Sequence, residues 1–104
     1  MAFVRVAGTS EIPAGTIKEC AVGTAVIALA NVGGTFHAIS NTCLHRGGPL
    51  GQGLLEGAVV TCPWHGWQFD VRTGKTVQNT DFGVTCYAVE VKGEDIFVDL
   101  AVCE

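Results

Sequence analysis

CPWHGWQF, residues 62–69, sets a thiol and an imidazole three positions apart, Cys62 and His65, among a proline, a glycine and two tryptophans. Nearer the N-terminus, NTCLHRGGPLG (residues 41–51) carries a second close pair, Cys43 and His45, again followed by glycines. The full pattern is Cys43-x-His45, sixteen residues, then Cys62-x-x-His65. Two cysteines and two histidines in two tight pairs predict a four-ligand metal site, because each pair can chelate from one loop. Chance placement, with histidines at the surface and cysteines as apolar filler, explains single residues better than two such pairs.

Zinc competes first, since tetrahedral sites of two cysteines and two histidines are common. Their usual order is Cys, Cys, then His, His, with each like pair on one element. Here each segment supplies one thiolate and one imidazole. All four on one ion would be an unusual order. Two metals, one held by both cysteines and the other by both histidines, would have each loop span the pair, which is the ligand arrangement of a Rieske [2Fe-2S] cluster.

At these residues the sequence resembles the Rieske iron-sulfur proteins, whose signature C-x-H…C-x-x-H is met by Cys43, His45, Cys62 and His65. NTCLHRGGPL is similar to the family's first cluster loop, CPWHGWQFDVRTGK to its second, and YAVEVKGEDIFVDL to its closing hairpin. The resemblance covers most of the chain from about residue 17 to 100. It implies an all-β Rieske fold, with antiparallel sheets forming a base and a two-loop cluster-binding subdomain at about residues 41–70. It also implies that Cys43 and Cys62 bind the buried iron and that His45 and His65 bind the outer iron through Nδ1.

Charge counting gives the chemistry of such a site. Two ferric ions, two sulfides and two thiolates sum to zero, whereas four thiolates would leave −2, so neutral imidazoles favour accepting an electron. The free imidazole nitrogens couple that electron to a proton at high pH. High-potential relatives of the respiratory type resemble C-T-H-x-G-C and C-P-C-H-G-S-x-Y, with an inter-loop disulfide and Ser and Tyr hydroxyls bonded to the cluster sulfurs. In this chain Gly48 and Trp64 stand at the disulfide positions, and Trp67 and Phe69 at the Ser and Tyr positions. Without those donors the expected potential lies near the lower end of the Rieske range, roughly −150 mV.

Several residues around the motif have two readings. Gly47, Gly48, Gly51, Gly53 and Gly66 are either flexible loop or positions where backbone N–H groups approach the sulfides. Trp64 and Trp67 either shield the cluster and rim a docking face or fill core. Arg46 either meets a partner's acidic group or is solvated. Cys20, Cys86 and Cys103 read as small buried residues or a loose terminal thiol, and His37 as a strand residue with a partly exposed ring. Many relatives cover the cluster with a proline-bearing third loop, whereas the segment from Val77 to Thr85 has no proline.

Outside the motif, periodicity favours strands: Phe3 to Val6, Ile17 to Cys20, Ala25 to Ala30, Thr35 to Ile39, Ala58 to Thr61, Gln68 to Val71, Cys86 to Lys92 and Asp95 to Leu100. The last two, joined by Gly93-Glu94, read as a hairpin. No 3.6-residue stripe or repeat is present, and residues 41–57 read as one long glycine-rich loop, the kind that usually carries function. The chain of 104 residues fits a single domain, 48% hydrophobic and 15% charged.

A net charge of −4, without a Lys/Arg cluster, argues against nucleic acid or an anionic membrane as partner. The negative charge lies mostly outside the Cys43–Lys75 segment, where Arg46, Arg72 and Lys75 outnumber Glu56 and Asp70. The longest apolar run, Ala25 to Ala30, falls far short of the ~20 residues of a membrane helix, and the N-terminus does not open like a signal peptide. Five cysteines without an export signal suggest reduced thiols or ligands and a cytoplasmic location; a monomer is expected.

The resemblance implies a soluble one-electron carrier, passing electrons from a flavoprotein reductase to a terminal ring-hydroxylating oxygenase in aromatic hydrocarbon catabolism. Four protein ligands leave no open site for substrate, so a carrier is expected and not an enzyme. The alternatives are the small Rieske-like subunit of an assimilatory nitrite reductase and a zinc-stabilised binding module.

Overall fold

The computed structural model describes residues 3–22, 25–42, 48–64, 66–77 and 82–102. Nine strands account for most of them: β1 (Phe3–Gly8), β2 (Ile17–Val22), β3 (Ala25–Val32), β4 (Thr35–Ser40), β5 (Leu54–Glu56), β6 (Val59–Thr61), β7 (Gln68–Asp70), β8 (Cys86–Lys92) and β9 (Asp95–Val102). They form a six-stranded sheet, ordered β1-β9-β8-β4-β3-β2, and a three-stranded sheet, ordered β5-β6-β7. Every strand pairing is antiparallel.

Tight turns set the registers. Val32 faces Thr35 across Gly33 and Gly34, both at positive φ (59° and 98°), the backbone that a two-residue hairpin needs and that glycine adopts without a Cβ penalty. Lys92 faces Asp95 across Gly93 and Glu94, so the expected closing hairpin forms with its turn where the sequence put it.

Strand β3 is buried on both faces, and the two-residue period splits its side chains between two cores. Ile27 and Leu29 join Ile12, Ala38, Ile96 and Val98 on one side of the large sheet. Ala28 and Ala30 join Ile39, Leu50, Leu55, Val60, Cys62, Phe69 and Val71 between the two sheets. Fully burying a side chain such as Phe69 or Leu50 stabilises by roughly 1.5–3 kcal/mol relative to exposure. The second core therefore fixes the small sheet, and Cys62 with it, against the large one.

The eight expected strands are present, several one or two residues longer or shorter than read. The ninth, β5, lies inside the expected 41–57 loop, together with a 3₁₀ turn at Leu50–Gln52. It was hidden because it is three residues long and buries only Leu55, leaving Leu54 62% exposed, so no alternation could register. Val71 falls just beyond β7 and is buried all the same. Among the described residues no helix is long and apolar enough to cross a membrane.

Candidate metal centre

The ligand-bearing segments leave the sheets at defined points. Strand β4 pairs with β8 through Ala38–Tyr87 and Ile39–Cys86, and the Ser40 N–H donates to the Thr85 carbonyl at 2.8 Å. The chain then departs, and Thr42 meets Pro49 in an isolated antiparallel bridge, so the stretch bearing Cys43 and His45 starts and returns at one place. Asn41 closes its base twice. Its carbonyl accepts from the Leu50 N–H at 2.7 Å, and its side-chain Oδ1 accepts from the Gly51 N–H at 2.7 Å. The Asn41 amide donates in turn to Glu19 Oε2 at 2.6 Å, and the Gln52 amide donates to Glu19 Oε1 at 2.9 Å.

The second segment is a tight loop at the end of β6. The Cys62 N–H donates to the Trp67 carbonyl at 2.7 Å, and the Gly66 N–H to the Cys62 carbonyl at 3.1 Å, with Gly66 at φ 76°. Cys62 is 2% exposed and packs among Leu50, Val60 and Phe69. Trp67 lies half-buried against the same core, whereas Trp64 is 57% exposed.

The two segments touch. A Cβ added at Gly48 would lie 2.9 Å from Cys62 Sγ and 3.0 Å from Trp64 Cγ, so only glycine lets the backbone after the first pair come this close to the thiol of the second. Of the four expected ligands Cys62 is described; Cys43, His45 and His65 lie outside the described residues, as do Arg46, Gly47 and Cys103. A buried thiol facing a neighbouring loop stripped of its Cβ fits a cluster held between the loops. Soft thiolate is the ligand iron-sulfur centres take.

Three glycine readings are revised, the Gly66 N–H being already engaged by the Cys62 carbonyl. The Gly51 and Gly53 N–H groups donate to Asn41 Oδ1 and the Leu50 carbonyl, not to sulfide. These residues are small because of close approach: a Cβ would lie 2.5 Å from Glu19 Cγ at Gly51 and 2.2 Å from the Thr61 carbonyl oxygen at Gly53. The third segment lacks proline but is tied down on both sides. The Val77 N–H donates to the Gln68 carbonyl at 2.9 Å, the Thr76 N–H to Phe82 at 2.8 Å and the Val84 N–H to Gly74 at 2.7 Å. Residues 78–81 lie outside the described set.

At the end of β7, Asp70 is paired locally. Arg72 grips Asp70 with both ends of its guanidinium, at 3.0 and 2.8 Å, and its N–H donates to the same carboxylate at 2.9 Å. These bonds hold Asp70 below the usual carboxylate range. His37, half-buried on β4, is held below its ordinary imidazole value, first by burial and then by the charge of Arg72. Burial pushes the Cys20 thiol up. Cys20 is buried as expected, Cys86 is half-buried with its thiol 3.9 Å from the Arg72 carbonyl, and no disulfide joins the described cysteines. Glu19 and Gln52 were missed from the sequence because they stand 22 and 11 residues from Asn41, with no spacing rule linking them.

This fold, with two touching loops and a buried thiol, has the form of an iron-sulfur electron-transfer domain. The model of the Rieske [2Fe-2S] domain matches residues 2–97, and the chain belongs to that family. Its cofactor is a Rieske-type [2Fe-2S] cluster. The 3-phenylpropionate/cinnamic acid dioxygenase ferredoxin subunit of Shigella boydii serotype 4 is 47% identical over 78 residues, covering 72% of this chain and 73% of that one. Among solved structures, the ferredoxin of carbazole 1,9a-dioxygenase from Nocardioides aromaticivorans IC177 matches with TM-score 0.86 at 31% identity, covering 94% of this chain and 97% of that one. A chain of the complex of reduced oxygenase and oxidized ferredoxin in carbazole 1,9a-dioxygenase matches with TM-score 0.87 at 33% identity, covering 98% and 96%. A protein assigned as a nitrite reductase small subunit shares the fold alone, with TM-score 0.80 at 12% identity.

Proposed function

We propose that this chain is the ferredoxin component of a ring-hydroxylating dioxygenase system, a one-electron carrier that is not itself an enzyme. It takes electrons from a flavoprotein reductase and delivers them to a terminal oxygenase. The observation that carries the reading is the 47% identity to a dioxygenase ferredoxin subunit, along nearly three-quarters of both chains. The whole of residues 1–104 acts as one Rieske domain, monomeric and cytoplasmic, with Cys43 and Cys62 on the inner iron and His45 and His65 on the outer.

When bound, the cluster supplies exchange of a single electron between two oxidation levels. The chain's residues prepare for it. Burial of Cys62 keeps water from its sulfur, and the 62–67 loop bonds hold it in place. Phe69, fully buried and without a hydroxyl, brings apolar surface where high-potential relatives carry a donor. Trp64, more than half exposed beside His65, gives a partner an aromatic surface next to an outer ligand.

The test is spectroscopic and electrochemical. The purified protein should be coloured, give after dithionite an EPR signal averaging near g ~1.9, and show a potential of roughly −150 mV. It should also support oxygen uptake by a 3-phenylpropionate dioxygenase supplied with its reductase. A colourless protein holding zinc, or a clearly positive potential, would overturn the reading.

A further inference from the structure

Strand β2 ends the order of the large sheet, and its Glu19 reaches across to the first ligand segment. One carboxylate oxygen accepts from Asn41, two residues before Cys43, and the other from Gln52, on the returning side of the loop. Asn41 relays the contact onto the loop's backbone through the Gly51 and Leu50 N–H groups. Gly51 permits the approach, since a Cβ there would lie 2.7 Å from the Glu19 backbone nitrogen as well as against its Cγ.

We propose that Glu19 is the positioning residue of the first ligand loop, clamping Asn41 and Gln52 so that the backbone on either side of Cys43 and His45 keeps one spacing. Two acceptor oxygens on one short carboxylate hold the two amides a fixed distance apart, which neither amide could do alone. Charge-assisted bonds of this kind are stronger than neutral ones, so the anion is the effective clamp. Asn41 is buried, and losing its partner would leave its amide without that acceptor. The inference rests on the Rieske reading only for its effect on the cluster; the clamp itself is a property of the chain.

The experiment compares the intact protein with Glu19→Ala, Glu19→Gln, Asn41→Ala and the Glu19→Ala/Asn41→Ala double variant. Hydrogen exchange by mass spectrometry follows the peptide holding Leu50 and Gly51, while EPR of the reduced protein and release of iron to a chelator follow the cluster. Glu19→Ala is expected to speed exchange in that peptide by about tenfold and to change the EPR line shape, leaving exchange in the β8–β9 hairpin unaltered. Glu19→Gln, which keeps one acceptor oxygen, should fall between the two, and the double variant should go no further than Asn41→Ala. Wild-type exchange and line shape in Glu19→Ala, or simple addition of the two single effects, would overturn the proposal. Should Glu19→Ala not fold, a Glu19→Gln protein indistinguishable from wild type would do the same. A colourless wild-type protein would remove the electron-carrier reading, but the exchange comparison would still decide the clamp.

Discussion

Replacing Gly48 by alanine tests whether the two loops depend on backbone contact. The new methyl carbon would stand 2.9 Å from Cys62 Sγ and 3.0 and 3.1 Å from Trp64 Cγ and Cδ2. Comfortable contacts of this kind lie at roughly 3.5–4.0 Å, so about half an ångström or more must be recovered. Trp64 is exposed, but its Cγ sits at the root of the ring and moves little when the ring swings. Cys62 is buried in the core with Leu50 and Phe69, so moving its sulfur disturbs their packing. Overpacking of this type costs about 1–3 kcal/mol. At about 4–8 °C per kcal/mol for a domain of this size, the thermal midpoint should fall by roughly 4–24 °C. The assay is a thermal melt followed by both far-UV circular dichroism and visible absorbance, with iron content measured before heating. Cluster loss should precede loss of the sheets. Adding Trp64→Ala should restore part of the midpoint by removing the Cγ and Cδ2 contacts but not the sulfur contact. A Gly48→Ala protein with full iron content and an unshifted midpoint would show that the loops do not meet here.

Three further outcomes follow. Phe69→Ala should destabilise by about 3–5 kcal/mol in urea titration, because the ring is fully buried between the sheets; a loss below about 1 kcal/mol would mean that the second core is not packed as described. His37 and Asp70 both have depressed folded-state values, so each binds fewer protons folded than unfolded, and stability present at neutral pH should decline on acidification, first below about pH 6.5 and again below about pH 4. His37→Gln should remove the first step, and a thermal midpoint that rises on acidification would contradict both assignments. His65→Cys, if iron is retained, should add a negative charge and lower the potential in film voltammetry; an unchanged value would show that His65 is not a ligand.

The fold was legible where local chemistry speaks for itself. Alternation in β8 and β9 around Gly93-Glu94 and the continuous apolar run of β3 identified strands at nearly their observed bounds. Strand β5 was not legible, because three residues with one buried side chain carry no period. At the site, the spacing of Cys43, His45, Cys62 and His65 was readable as the Rieske signature, and of the four Cys62 lies among the described residues. The role of Gly51 was misread for a physical reason: its constraint comes from Glu19, 32 positions earlier, brought near only by the pairing of β2 with β3 and β3 with β4. Local sequence records which residues can form a strand or bind a metal, but not which distant strand will press on a loop.

Strands β4 and β8 are neighbours in the large sheet, so everything from Asn41 to Val84 is an excursion whose two ends stand one strand spacing apart. The remaining six strands run as a continuous antiparallel set whose pairing never passes through that excursion. The redox function is thus housed in a cassette. It is not independent of its host: Ala28, Ala30 and Ile39 of the large sheet share a core with Leu50, Val60 and Phe69 of the insert, so any exchange at the Ser40–Thr85 junction must match that apolar face. Change inside the insert costs least where it spares that shared face and the contacts of Glu19 with Asn41 and Gln52.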